Sequence, residues 1–427
     1  MALSHNFLLL CSVFLFISSA TIAQTSFRPK ALLLPVSKDA ATLQYVTHIN
    51  QRTPLVPVKL TVHLGGETLW VDCEKGFVSS SFKPARCGSA QCSLATADAC
   101  SGLNVCGQSV GNPIIRTSTH GDIGQDVVSL QSTDGSNPGR VVKVPNFIFT
   151  CGATLLVRGL ANGVTGMAGL GRSKIALPTQ LAAAFSFKRK FALCLSSSTT
   201  SDENGVIIFG DGPYVIRPDI DVSKSLTYTP LFINPVSTAG AFSLGDKSFE
   251  YFIGVKSVNV NGKAIPLNKT LLSIDSNGIG GTKISTVDPY TVLETSIYNA
   301  VVSAFVNGMP TVKRVSSVAP FGACFDSRDI FTTRIGYAVP WIDLVLQNQN
   351  VQFRVTGANS MVRVSDNVLC LGFVDGGVNP RTSIVVGGYQ LENNLLQFDL
   401  ASSRLGFSPS LIVEYRTNCG NFNFTSK

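Results

Sequence analysis

A mainly β chain folded as two related lobes is what this sequence predicts, and three observations carry the prediction. Short alternating or apolar runs recur from end to end: Leu60 to His63, Val127 to Leu130, Val141 to Val144, Gly205 to Phe209, Phe252 to Val260, Ile384 to Val386 and Gln397 to Leu400. Gly, Asn, Ser and Pro separate them, the punctuation expected between strands. Helical periodicity is scarce. Its two candidates, Thr179 to Phe185 after Pro178 and Tyr290 to Val306 after Pro289, place proline in a first turn, where its missing N–H costs nothing. Finally, Gly166-Met167-Ala168-Gly169-Leu170-Gly171 is echoed by Ile384-Val385-Val386-Gly387-Gly388-Tyr389, an apolar pair running into glycines once in each half.

Composition agrees. The 427 residues are 44% hydrophobic and only 14% charged, against roughly 25% charged in an average domain. The length suits two ordinary domains or one bilobal unit. A stretch rich in Pro and Asp, residues 212 to 228, is the expected junction, giving lobes over 24–220 and 221–427. Before them, the apolar run Phe7 to Ile17 leads through Ser18, Ser19 and Ala20 to a cleavage point in Thr21-Ile22-Ala23, so residues 1–23 read as a secretory signal. That run is too short to span a bilayer. An extracellular location is therefore expected, with no membrane partner.

Of the 11 cysteines, Cys11 lies in the signal. The others, Cys73, Cys87, Cys92, Cys100, Cys106, Cys151, Cys194, Cys324, Cys370 and Cys419, read as disulfides in an exported chain, with connectivity open. Zinc is the competing reading for Cys87-x4-Cys92 or Cys100-x5-Cys106, but the whole chain has only 4 His. No metal and no cofactor are expected. Asn268-Lys269-Thr270 and Asn423-Phe424-Thr425 are candidate glycan acceptors. The net charge of +8 is dispersed, with one tight run, Lys188-Arg189-Lys190, read as a solvated loop. Such charge suits acidic partners, and nothing resembles a nucleic-acid module.

Longer motifs then resemble a known family. Gly166-Met167-Ala168-Gly169-Leu170-Gly171-Arg172 is similar to a motif of plant pepsin-like proteases, and the stretch from Ile384 through Gln390 to Phe398-Asp399-Leu400-Ala401-Ser402-Ser403-Arg404-Leu405-Gly406-Phe407 to their C-terminal hallmark. Cys87-x4-Cys92 has the spacing of their small loop disulfide. The resemblance implies the bilobal pepsin-like aspartic protease fold, two β-barrel-like lobes with few short helices. Those enzymes use two Asp-Thr/Ser-Gly turns, whose carboxylates share one proton because two such close charges cannot both ionise. Here the first turn reads Val62-His63-Leu64-Gly65-Gly66 before Leu69-Trp70-Val71-Asp72-Cys73. The second reads Gly280-Gly281-Thr282-Lys283-Ile284-Ser285-Thr286-Val287. The resemblance places His63 and Ser285 at the aspartate positions, so no protease activity is expected. Asp72 and Asp275 in Asp275-Ser276-Asn277-Gly278 are offset from the turns and read as structural. No tyrosine lies between Asp72 and Tyr214, so the flap tyrosine expected within Pro113 to Gly124 is missing. A Ser–His pair built from His63 and Ser285 would need a third orienting group and an oxyanion hole.

Phe27-Arg28-Pro29-Lys30, Thr53-Pro54-Leu55-Val56-Pro57-Val58, Lys283-Ile284-Ser285-Thr286-Val287 and the ending Asn418-Cys419-Gly420-Asn421-Phe422-Asn423-Phe424 narrow the resemblance. They are similar to the plant group of extracellular dermal glycoprotein, xyloglucan-specific endoglucanase inhibitors, basic 7S globulin and cereal xylanase inhibitors. That resemblance implies a monomeric, apoplastic defence protein whose partner is a microbial secreted endoglucanase or xylanase, with a storage or peptide-binding role as the alternative. It also implies that arginines on loops of the second lobe enter the target's cleft, with Arg334 in Thr333-Arg334-Ile335-Gly336 and Arg416 in Tyr415-Arg416-Thr417 as the candidates. Arg404, within the hallmark itself, reads as structural.

Overall fold

The computed structural model describes residues 27–238 and 247–425. The expected leader, residues 1–23, lies outside them. The architecture is bilobal and dominated by strands, and the two halves share one antiparallel sheet. Strand Ala31–Lys38 pairs with Gly205–Gly210, which pairs with Lys190–Cys194. The ladder then passes to the other half, through Leu395–Asp399 and Arg404–Phe407 to Thr227–Phe232. Both faces of this sheet are covered. Leu32, Leu34 and Val36 enter the main core, while Ala31 and Leu33 enter a second cluster with Leu411 and Phe422. At the seam, Phe191 of the first half stacks on Phe398 of the second with centroids 4.8 Å apart, and Tyr251 lies 4.5 Å from Phe398.

The internal echo has a structural meaning. In the first half, Val56–His63 pairs antiparallel with Tyr45–Gln51 and parallel with Gly166–Gly169. In the second, Thr282–Ile284 pairs antiparallel with Tyr251–Ile253 and parallel with Ile384–Val386. Each echoed motif thus flanks the strand that leads to the molecular midline. Glycine is required there by close approach. A Cβ on Gly169 would lie 2.2 Å from the Thr68 carbonyl oxygen, and one on Gly387 would lie 2.3 Å from the Tyr290 carbonyl carbon.

Several expectations need correction. Helix Leu177–Phe185 starts two residues early, with Pro178 in its first turn. The second helix runs only over Thr295–Asn307, because Thr291–Leu293 pairs with Phe373–Asp375 and Ile384–Val386 instead. Its start is fixed by the Glu294 carboxylate, which accepts from the N–H groups of Ser296 at 2.8 Å and Ile297 at 3.2 Å. The run Phe252 to Val260 breaks after Ile253 into two strands. Lys190 does not belong to a solvated loop. It opens a buried strand, and its ammonium sits 3.2 Å from Asp211 and 3.6 Å from Asp399.

The cysteines pair as Cys73–Cys151, Cys87–Cys100, Cys92–Cys106, Cys194–Cys419 and Cys324–Cys370. The local Cys87–Cys92 bridge implied by the resemblance does not form. Ser89 caps helix Ala90–Leu94 and Cys92 is buried on it. The antiparallel register Cys100↔Cys106 then offers two adjacent partners, one for each of Cys87 and Cys92.

Candidate functional site

The turns that follow the two midline strands meet across the lobes. Thr286 Oγ1 donates to the Val62 carbonyl at 2.7 Å and accepts from the Leu64 N–H at 3.0 Å. Leu64, in the corresponding place on the first turn, is fully buried and has no hydroxyl to return the bond. Ser285 Oγ accepts from the N–H groups of Val287 at 3.3 Å and Asp288 at 3.2 Å, so it caps its own turn. Among the described residues no hydrogen bond joins Ser285 to His63, so the base contact that a nucleophilic serine requires is absent.

Sequence reasoning missed the group that dominates this midline. Glu250 Oε1 and Lys283 Nζ form an ion pair at 2.7 Å, with side chains only 10% and 16% exposed. Glu250 also accepts from Thr238 and Ser248. Burial opposes its ionisation, but the Lys283 charge and these hydrogen bonds outweigh that and hold the carboxyl below its usual range. The pair arises because Lys283 sits opposite Phe252 in the ladder with Tyr251–Ile253, which places Glu250 at the strand's mouth. The signal was one acid and one base in otherwise apolar strands, 33 residues apart.

Burial is also the main influence on His63, lowering its pKa to about 4. At neutral pH the midline therefore holds a neutral imidazole, a hydroxyl and a closed ion pair. The sign of the pH dependence follows. The unfolded imidazole protonates near 6.5 while the folded one resists until about 4. Stability from this residue is full above pH 6.5 and is lost as pH falls toward 4. The loss should amount to up to about 3 kcal/mol. Unfolding free energies from urea titrations of wild type and His63→Gln across that window should diverge by this amount, and parallel curves would refute it.

The two offset aspartates take structural roles. Asp72 is buried and accepts from Thr154 Oγ1 at 3.0 Å and from the N–H groups of Glu74 and Lys75. Asp275 is exposed and closes a surface turn by accepting from Asn277 and Ile279 N–H groups. The hairpin in the flap's place, Cys106–Asn112 against Thr117–Thr133, carries Ile114 and Ile115 at its tip. Arg404 bonds Asp399 at 3.1 Å and lies 4.2 Å over the Tyr228 ring.

The two candidate loop arginines border one groove. Arg334 is exposed at the tip of hairpin Thr332–Thr333/Gly336–Tyr337. Gly336 lets this hairpin press onto the chain at Ala358, since a Cβ there would lie 2.0 Å from the Ala358 nitrogen. Arg416 is exposed just past helix Leu411–Glu414 and adopts a left-handed backbone, φ 51°. Its segment is tied down on both sides. The Leu411 N–H donates to the Asn393 carbonyl at 2.8 Å, the Cys419 N–H donates to Asn393 Oδ1 at 3.2 Å, and Cys419 is bridged to Cys194. Thr333 and Ile335 beside Arg334, and Ser410 and Val413 before Arg416, all line the same groove of about 910 Å³. Among the described residues neither arginine forms an ion pair.

Two lobes that share a central sheet and meet at paired turns define a pepsin-like protein. At the level of fold, the chain matches an aspartic proteinase from Irpex lacteus at TM-score 0.58 and 16% identity, covering 91% of this chain and 100% of that one. The family descriptions "Xylanase inhibitor N-terminal" and "Xylanase inhibitor C-terminal" match residues 45–211 and 250–409. The chain belongs to this xylanase-inhibitor family, the non-proteolytic plant branch of the pepsin-like fold. It is 61% identical to the probable aspartic proteinase GIP2 of Nicotiana benthamiana over 98% of both chains. Among solved structures it is similar to that of EDGP, with TM-score 0.92, 59% identity and coverage of 94% and 100%. It is also similar to that of basic 7S globulin from soybean, with TM-score 0.80, 36% identity and coverage of 92% and 98%.

Proposed function

We propose that this protein is a secreted inhibitor of microbial cell-wall-degrading glycoside hydrolases, xyloglucan-specific endo-β-1,4-glucanases first among them, and that it does not cut peptide bonds. The observation that supports the reading is the pair of exposed arginines, Arg334 and Arg416, neither in an ion pair among the described residues, on loops bordering one groove of the second half. A retaining glycosidase holds two carboxylates about 5–5.5 Å apart in an open cleft. A guanidinium placed between them can bond both in forked geometry. The lost protease chemistry follows from the midline. With His63 and Ser285 as the degenerate catalytic positions, neither position supplies a carboxyl to share a proton. Asn268 and Asn423 are both exposed and are the proposed glycan sites. We infer a boundary between the lobes at residues 220 and 221.

The test is inhibition of purified xyloglucanases from fungi and oomycetes. Arg416→Ala and Arg334→Ala should each raise the inhibition constant by roughly tenfold to a hundredfold, a magnitude expected of an interface arginine anchor. Arg416→Gly should do the same with little change in stability. Relief of a left-handed side chain, about 1–2 kcal/mol, is offset by the chain entropy of glycine, about 0.5–1 kcal/mol. If wild-type protein leaves a panel of xyloglucanases and xylanases fully active, the reading fails.

A further inference from the structure

The two arginine loops are far apart in the chain, yet both are held by one buried dipeptide, Glu392-Asn393. Asn393 is only 2% exposed, and each of its four polar groups is bonded. Its N–H donates to the Leu195 carbonyl at 2.9 Å and its Nδ2 to Ser197 Oγ at 3.0 Å, which fixes it to the first half. Its carbonyl accepts from Leu411 and its Oδ1 from Cys419, one on each side of Arg416. Its backbone is left-handed, φ 56°, a conformation asparagine adopts more readily than most side chains.

Glu392 holds the other loop. The hairpin carrying Arg334 rests on helix Gly357–Ser360, where the Ala358 N–H donates to the Ile335 carbonyl at 3.0 Å. The next residue, Asn359, is 3% exposed. Its Nδ2 donates to the Glu392 carbonyl at 2.8 Å and to the Tyr389 carbonyl at 3.0 Å. The Glu392 carboxylate is itself fixed from the first half, by Lys38 Nζ at 2.6 Å and the Tyr45 hydroxyl at 2.7 Å. Buried polar groups hold their neighbours only while every partner is in place. A loop clamped in this way avoids the ordering cost that a free loop meets on binding.

We propose that Glu392-Asn393 sets the geometry between the two arginines, with Asn393 the positioning residue for Arg416 and Asn359 the positioning residue for Arg334. Their role in inhibition rests on the inhibitor reading, whereas the clamping itself can be measured without a target. The first measurement is trypsin cleavage of the native, full-length protein, with initial rates at the Arg416–Thr417 and Arg334–Ile335 bonds read by mass spectrometry. Cleavage tracks the population of the open segment. Asn393→Gly keeps the left-handed backbone and should accelerate cleavage after Arg416 roughly tenfold, the equivalent of one ordered long side chain set free, with Arg334 unaffected. Asn359→Ala should do the reverse. Ser197→Ala removes only the bond to Asn393 Nδ2, should act in the same direction as Asn393→Gly, and serves if that variant folds poorly.

The second measurement is inhibition of a xyloglucanase that the wild type inhibits. Asn393→Gly should raise the inhibition constant about tenfold. It should add nothing further to Arg416→Ala and add fully to Arg334→Ala, because independent sites are additive and coupled ones are not. A general loss of structure would accelerate cleavage equally at both bonds and add to both arginine variants, and either result would overturn the inference. If no enzyme is inhibited, the inhibitor reading fails, while the cleavage pattern still decides the positioning.

Discussion

Lys283→Ile is expected to destabilise the protein by about 3–5 kcal/mol, the cost of removing one partner from a buried ion pair. Glu250 would keep its bonds from Thr238 and Ser248 but lose the cation that offsets its burial. The same change removes a charge that helps lower the His63 pKa, so His63 should titrate at higher pH in the variant. The double variant Glu250→Leu/Lys283→Ile should recover most of the loss, because replacing both members of a buried pair by apolar groups is often neutral or better. Denaturant unfolding of wild type, both single variants and the double variant closes a thermodynamic cycle. A neutral Lys283→Ile would show that the pair is solvated and that the midline is not as enclosed as described.

Cys194→Ala/Cys419→Ala should cost about 5 kcal/mol if loop-closure entropy sets the scale, since this bridge closes a loop with a sequence separation of 225. The expected effect reaches beyond stability. Cys419 anchors the segment that carries Arg416, and Asn393 holds the same segment by hydrogen bonds to Leu411 and Cys419. Inhibition should therefore weaken at temperatures where the variant is still folded, as judged by circular dichroism. Removing Cys324–Cys370, with a separation of 46, should cost less stability and leave the arginine segment in place. Equal loss of inhibition in both variants would count against Arg416 as an ordered contact.

The strands were legible because burial imposes period-two patterns and because glycine marks close backbone approach, as at Gly169 and Gly387. Their partners were not legible. Cys87 and Cys92 look like a local pair in sequence, yet helix Ala90–Leu94 turns them toward different cysteines. Tyr290 to Leu293 carries helix-compatible residues after a proline, and pairing with two strands overrides that preference. Lys283 could be quoted only as part of a motif, and its meaning required Glu250, which stands just before the neighbouring strand Tyr251–Ile253. The two arginine loops were named through the family resemblance, whereas their place around one groove depends on tertiary packing.

On the proposed reading, Leu64 makes a loss of peptide hydrolysis hard to reverse. Aspartates introduced at positions 63 and 285 would stand on unequal supports. The second turn is latched to Val62 and Leu64 through Thr286, while the first has only apolar packing to offer in return. They would also face a resident carboxylate already committed to an ammonium. Ancestry of this kind can be erased one substitution at a time but regained only by several in concert.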